Sequence, residues 1–500
     1  MRRLAEIPSP WRYVVIALLV LAAIVLLRWL DTDEAVVDGA GGRVEIHYKL
    51  RQGASHHANA QPLFTHLPAN IAAAGTASDD PRARWRRIDV VSWRANIELD
   101  WLARDPEVEE AFVAPAISLP YAGAGQGAGH DVGMLRDGDS CPINTPSYEH
   151  HQGYVGPAPE GIDAPAAWKR GVRGQGVWFA DVEGGWNAKH EDLPGDRITH
   201  ASGRVSTDPM WRAHGTAVLG EVVGRDNGKG VVGLAPDVER VFTSSIGGQS
   251  VADALDGAAE RLRPGDVMLI ELQGTGPRGR FLPVEWWDDN YDAIRAATQR
   301  GVIVIEAAGN GAEDLDRSTY KGKLSRAGRD SGAIMVGAGG PAREGYRDRA
   351  RLDFSNYGTR VDVQGWGRKV ATLDYGDLQS CKHPDDRAYA DRHYTGEFSG
   401  TSSASPIVAG AAVLLESWSK RERGKPLAPE VLRDLMRRTG TPQTDGIGGS
   451  DFVCTAWMAQ TCGGCGAYAA GWHAWHAAQQ NIGPRPDLAR ALEALERAPR

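Results

Sequence analysis

From about Tyr154 to Asn481 short apolar runs alternate with longer stretches of helical periodicity. That alternation predicts a parallel α/β sheet with helices on its faces. Strands are predicted at Val177–Asp181, Val267–Leu272, Val302–Ala307 and Ala333–Val336, and an entry helix at Ile162–Trp168. Further helices are predicted at His214–Val223, Val251–Leu262, Tyr291–Arg300, Ser402–Ser419 and Ala428–Thr439. An amphipathic helix closes the chain between Pro486 and Arg497. Before this region lies a smaller unit, residues 31–115. Val44–Tyr48 and Ile88–Val91 read there as strands, Ala95–Arg104 as a helix, and Asp105–Val113 as a turn and strand. Between the two, residues 116–153 read as a linker, because Ala122–Gly129 is a Gly/Ala repeat with little to pack.

The first 30 residues have another pattern. Arg2, Arg3 and Arg12 precede the apolar run Tyr13–Leu27, and Asp31, Asp33 and Glu34 come after it. Positive charge before an apolar run keeps the N-terminus cytoplasmic and exports the remainder of the chain. The run is shorter than the usual span of about 20 residues, so a cleaved signal peptide also fits. No clear small-x-small site comes after it, and an uncleaved signal-anchor is the preferred reading. The expected location is therefore membrane-anchored and facing the periplasm or exterior, or secreted, with the N-terminal segment as the membrane contact.

Composition narrows the rest. A net charge of −8 gives no electrostatic footprint for nucleic acid. Export permits disulfides among Cys141, Cys381, Cys454, Cys462 and Cys465, whose odd count leaves at least one free thiol or an intermolecular bridge. Cys462-Gly463-Gly464-Cys465, with Cys454, His473 and His476 nearby, also has the makings of a zinc or redox site. A disulfide loop is the preferred reading for this insertion, near residues 445–478. Nothing in the composition speaks for an oligomer, and a monomer is expected.

The chemistry is carried by three separated stretches. In Gly400-Thr401-Ser402-Ser403-Ala404-Ser405-Pro406 a flexible entry feeds an apolar run, placing Ser402 where a turn becomes a helix. Unpaired N–H groups and the positive helix end lie there. Taken alone, Ser402 reads better as a helix cap than as a nucleophile. His214-Gly215-Thr216 opens a small-residue helix, however, and Val177–Asp181 is an apolar strand ending in a carboxylate. The order Asp, His, Ser is one of the known orders of the serine triad. With these motifs the chain resembles the subtilisin-like serine proteases (subtilases).

The resemblance implies a subtilisin-like parallel sheet flanked by helices over residues 154–500, with a small α+β propeptide-like domain before it. It implies a serine endopeptidase acting on protein or peptide substrates and made as a self-processing zymogen. Ser402 is then the nucleophile, His214 its general base and Asp181 the carboxylate that orients the imidazole. Asn310, after Val304–Gly309, resembles the family's oxyanion-binding Asn, with the Ser402 N–H as second donor. Leu272, Gln273 and Gly274, with Ala308 and Gly309, are the expected substrate-binding positions, the first three forming an edge that an extended peptide joins.

Two departures stand out. The Ser or Thr that commonly comes after the catalytic Asp is replaced by Val182-Glu183-Gly184-Gly185. Glu271 and Glu306 stand on strands flanking the expected P1 pocket, where a carboxylate facing inward selects a basic residue and one turned away or held by an arginine does not. The chemistry requires no cofactor or metal. Calcium, which many subtilases bind, finds no Asp-rich loop and is not placed. A catalytically silent peptide-binding version of the fold is one rival. A lipase or esterase is the other, disfavoured because no Gly-x-Ser-x-Gly elbow surrounds Ser402.

Overall fold

The computed structural model describes residues 42–54, 60–120, 142–381, 390–446 and 476–498. The expected signal-anchor, the Gly/Ala repeat and the Cys462–Cys465 cluster lie outside these residues. At the centre is a seven-stranded, wholly parallel sheet. Its strands are β6 (Trp178–Glu183), β7 (Ile198–Ser202), β8 (Arg240–Ser245), β9 (Val267–Ile270), β12 (Ile303–Ala307), β13 (Ile334–Gly339) and β14 (Val363–Trp366). Their order across the sheet is β7-β8-β6-β9-β12-β13-β14. From β6 the chain goes to the edge strand β7, returns through β8 and crosses to β9 on the other side, and the crevice opens at the carboxyl ends of the strands around this switch.

Successive side chains of a strand point to opposite faces. Phe179, Leu269 and Ile305 join a core with α4 (Pro209–Val223) and α7 (Thr401–Arg423). Ala180, Val182, Ile270 and Val304 join a second core with α5 (Val251–Ala259) and α6 (Asp288–Gln299). By this parity Asp181, Glu183 and Glu271 face α4 and α7, whereas Glu306 faces the other way.

The N-terminal unit is a four-stranded antiparallel sheet of β1 (Arg43–Leu50), β2 (Gln61–Pro62), β3 (Trp85–Val91) and β4 (Val108–Val113), in the order β2-β3-β1-β4. Its helices are α1 (Ala69–Ala74) and α2 (Ala95–Arg104). The unit sits on α5 and α6. Trp85 enters their core, and its indole N–H donates to Asp292 at 2.9 Å, as does Lys49 Nζ at 2.9 Å. Thr65 bonds Asp253 through N–H and hydroxyl, and His47 Nδ1 meets Asp289 at 2.7 Å.

One stretch read as linker is ordered against the sheet edge. β5 (Ile117–Ser118) pairs antiparallel with β10 (Gln273–Thr275), which pairs in turn with β11 (Phe281–Pro283). The alternation of so short a run is too weak to mark a strand. Its partner β10 supplies the order through main-chain bonds. The remaining elements are α3 (Ala164–Trp168), the β15 (Val370–Leu373)–β16 (Tyr394–Phe398) pair, α8 (Pro429–Thr439) and α9 (Leu488–Arg497).

Candidate active site

α4 starts where Asp208 accepts from the N–H groups of Met210 and Trp211 and Pro209 occupies the first turn. His214 lies in its second turn, fully buried, with its ring edge-on to Phe398 at 5.4 Å between centroids. Its Nδ1 is hydrogen-bonded to Glu183 Oε1. When Glu183 is a carboxylate it can only accept, so Nδ1 donates and Nε2 carries the lone pair.

This corrects the expectation for Asp181. β6 does not stop at Asp181 but runs two residues further, to Glu183, before Gly184-Gly185 breaks it. Asp181 therefore lies about 7 Å deeper in the sheet at the usual strand rise. Its Oδ2 accepts from Trp186 Nε1 at 2.7 Å, and the imidazole takes the carboxylate at the strand end. The indole fills the role of the missing hydroxyl after Asp181. The sequence held a signal for this: the apolar alternation continues through Val182, and the glycine pair, not Asp181, marks the end of the strand. Gly215 makes room for the longer acid, since a Cβ there would lie 2.4 Å from Glu183 Oε2.

α7 begins without a side-chain cap. Gly400 holds φ 108° and ψ −178°, a backbone conformation open to glycine. The unpaired N–H groups of the first turn are put to use instead. Thr401 N–H and Oγ1–H both donate to Asn310 Oδ1, each at 3.0 Å. Ser402 N–H donates to the carbonyl oxygen of Pro120 at 3.3 Å. Because both Thr401 donors hold Asn310 Oδ1, the amide orientation is fixed. Nδ2, buried and without a hydrogen-bond partner among the described residues, is left as the free donor. Asn310 N–H is itself held by Gln273 Oε1 at 2.8 Å.

The segment ending at Pro120 lies along β10 as a substrate strand lies along an edge. Gln273 pairs with Ser118 and Gly274 with Ile117, Thr275 N–H donates to Ala116 O at 3.2 Å, and Gln273 Nε2 donates to Leu119 O at 2.8 Å. Gln273 and Gly274 thus meet the chain's own extended segment. The side chains of Leu272 and Ala308 are buried, Leu272 in the α5/α6 core and Ala308 in a separate cluster with Leu282 and Trp287. Gly309, at φ 92°, shapes the bend before Asn310 and accepts from Asn356 N–H at 3.0 Å.

The two glutamates suggested for P1 selection are both committed elsewhere. Glu306, on the α5/α6 face, accepts from Glu285 N–H at 2.9 Å, beside the buried Arg360–Glu285 pair. Glu271 contacts the Ser405 hydroxyl. Neither is a free pocket carboxylate.

With the segment in place the site is sealed, and desolvation governs its ionisation. Burial lowers His214 to about 3, against an ordinary value of 6.5. Burial raises Asp181 to about 7, opposed by the Trp186 bond. Glu183 is pushed well above the usual carboxylate range by burial and then by Asp181 and Glu271. The occupied site therefore favours neutral groups. Three or more His, Cys, Asp or Glu arranged to hold a metal ion do not occur among the described residues.

Known proteins are similar to this chain in sequence and in fold. The model of the Subtilase family matches residues 184–454. The major intracellular serine protease of Bacillus subtilis is 26% identical over 302 residues, covering 57% of this chain and 83% of that protein. Subtilisin Savinase of Lederbergia lenta is 29% identical over 271 residues, covering 52% and 84%. Among solved structures, fervidolysin from Fervidobacterium pennivorans, a keratinolytic enzyme related to subtilisin, aligns with 92% of this chain and 62% of its own. The TM-score is 0.52 and the identity 17%, a likeness of fold.

Proposed function

The chain belongs to the subtilase family and is a serine endopeptidase, and we propose that it works through Ser402, His214 and Glu183, with Asn310 and the Ser402 N–H as oxyanion donors. His214 Nε2 takes the Ser402 proton as the hydroxyl attacks a peptide carbonyl, then returns it to the leaving amine. Glu183 holds the Nδ1–H tautomer and stabilises the imidazolium that forms. The negative oxygen of the tetrahedral intermediate is received by Asn310 Nδ2 and Ser402 N–H, already oriented before reaction. Water then hydrolyses the acyl-enzyme by the same relay.

The same geometry bears on maturation. Residues 31–120 act as an inhibitory pro-segment, and the first substrate is the bond Pro120–Tyr121. One observation carries this: the Pro120 carbonyl oxygen accepts from the N–H of the proposed nucleophile. Ile117, Ser118, Leu119 and Pro120 then fill P4 to P1, and β5 supplies the main-chain bonds of an added strand. With the segment in place His214 is fully buried, and burial lowers it. Water reaching the imidazole after the segment leaves would bring it back toward its ordinary range.

Export is part of the proposal, with a monomer facing the periplasm or exterior. The arginine-flanked run Tyr13–Leu27 and the disulfide at Cys381 support it. No helix among the described residues is long and apolar enough to cross a membrane. Calcium is left unassigned.

The test is intact mass after export. The wild-type protein should begin at Tyr121 and react with a fluorophosphonate probe, whereas Ser402→Ala should keep its pro-segment and remain unlabelled. A wild-type protein that stays full-length and unlabelled would favour the silent peptide-binding reading.

A further inference from the structure

Ser405 lies one helical turn beyond Ser402, and its hydroxyl makes two short contacts. Its Oγ is 2.7 Å from the carbonyl oxygen of Thr401 and 2.5 Å from Glu271 Oε1. A hydroxyl carries one hydrogen. The carbonyl of Thr401 can only accept, so the Ser405 hydrogen belongs on that contact, as in other serines that bond back along a helix. The second contact then needs its own hydrogen, and Glu271 is the group able to bring it.

The surroundings agree. Glu271 comes just after β9 and is fully buried on the α4/α7 face, with Oε2 lacking a hydrogen-bond partner among the described residues. From β6 it meets Asp181 and Glu183, from α4 Glu221, and from α7 the hydroxyls of Ser402 and Ser405. Continuing the β9–β12 register by one residue places the apolar, buried Ala307 beside it. Among the described residues the one basic group hydrogen-bonded into this carboxyl cluster is His214, and it is bonded to Glu183. Burial pushes Glu271 well above the ordinary carboxylate range, with the two serine hydroxyls opposing.

We propose that Glu271 is held as a neutral carboxylic acid that donates to Ser405 and so positions the turn bearing Ser402, and that its ionisation at alkaline pH switches the site off. The switching half rests on the assignment of Ser402 as nucleophile. The acid meets the Ser402 hydroxyl as well as that of Ser405 but takes no part in the proton relay. It acts through Ser405 and through the charge it withholds. Once ionised it would lose the hydrogen that satisfies Ser405. It would also place a negative charge beside an intermediate that is itself negative.

Two measurements on Glu271→Gln test this. Gln keeps the size and offers a permanent N–H to Ser405. The processed variant should retain kcat/KM within about threefold of wild type near the optimum. Wild type should lose activity about tenfold per pH unit beyond its alkaline midpoint, and the variant should lose that limb. The second readout needs no catalysis. In a Ser402→Ala background, the infrared carbonyl band of a protonated carboxyl should disappear with Glu271→Gln. Loss of both band and limb supports the proposal. If no protonated-carboxyl band is removed, or if the limb is identical in both proteins, the proposal is overturned. A wild-type protein that shows the band but never reacts with fluorophosphonate overturns the nucleophile assignment and the alkaline switch with it, and leaves the neutral acid standing.

Discussion

At the scale of the residue, two carboxylates on one strand compete for one imidazole, and position decides between them. Asp181 and Glu183 share the α4/α7 face of β6, but Glu183 stands at its carboxyl end, where the crevice opens, and Asp181 is spent on Trp186. The two substitutions should therefore separate sharply. Glu183→Gln keeps the shape but loses the charge that fixes the tautomer, and kcat should fall by about 10³–10⁴. Asp181→Asn can still accept from Trp186 and should leave kcat within roughly tenfold of wild type. Steady-state kinetics on one peptide substrate decides the point. Equal losses from both changes would return Asp181 to the relay.

At the scale of the element, the site is made from ends. β6 contributes its last residue, β12 hands over to Asn310, and α7 offers uncapped N–H groups in place of a cap. β10 gives its edge to an extended peptide, and its inner side rests on an indole: a Cβ at Gly274 would lie 2.4 Å from Trp287 Cη2. Gly274→Ala should shift this edge, raise KM by about tenfold or more and change kcat much less, because the edge binds ground state and transition state alike. An unchanged KM would mean that substrates do not add to β10. The helices were readable from periodicity, and α4, α5, α6, α7 and α8 lie close to their expected places. β5 was not readable, since Ile117–Ser118 becomes a strand only because β10 pairs with it.

At the scale of the whole molecule, the N-terminal unit is clamped on α5 and α6 by groups that release their hold at alkaline pH. Burial lowers His47, but its bonds to Asp289 and Glu45 outweigh burial and raise it to about 9. Glu110 is raised to about 8 by burial and by its bond to Asp288, opposed by Lys323. A histidine raised above its unfolded value contributes fully below about 6.5 and loses that contribution as pH rises through about 9. A carboxyl raised from 4.5 likewise loses its share between about 4.5 and 8. Both signs agree. After self-cleavage the pro-segment should stay bound at neutral pH and separate as pH approaches 9, as monitored by size-exclusion chromatography. His47→Asn should move that release to lower pH, and retention unchanged up to pH 10 would refute the clamp. Such a segment can be carried as an inhibitor and later shed without a change in its own fold.

The sequence by itself determined the family and the α/β architecture and singled out Ser402, His214 and Asn310 as candidates, because each is written locally, in a motif or a period. Tertiary structure alone decided which acid is bonded to His214, what Glu271 and Glu306 face, and that the Pro120 carbonyl meets the Ser402 N–H. Those outcomes depend on where a strand ends and which side of a sheet a residue reaches. They also depend on which edge is free to pair, and no window along the chain contains such facts.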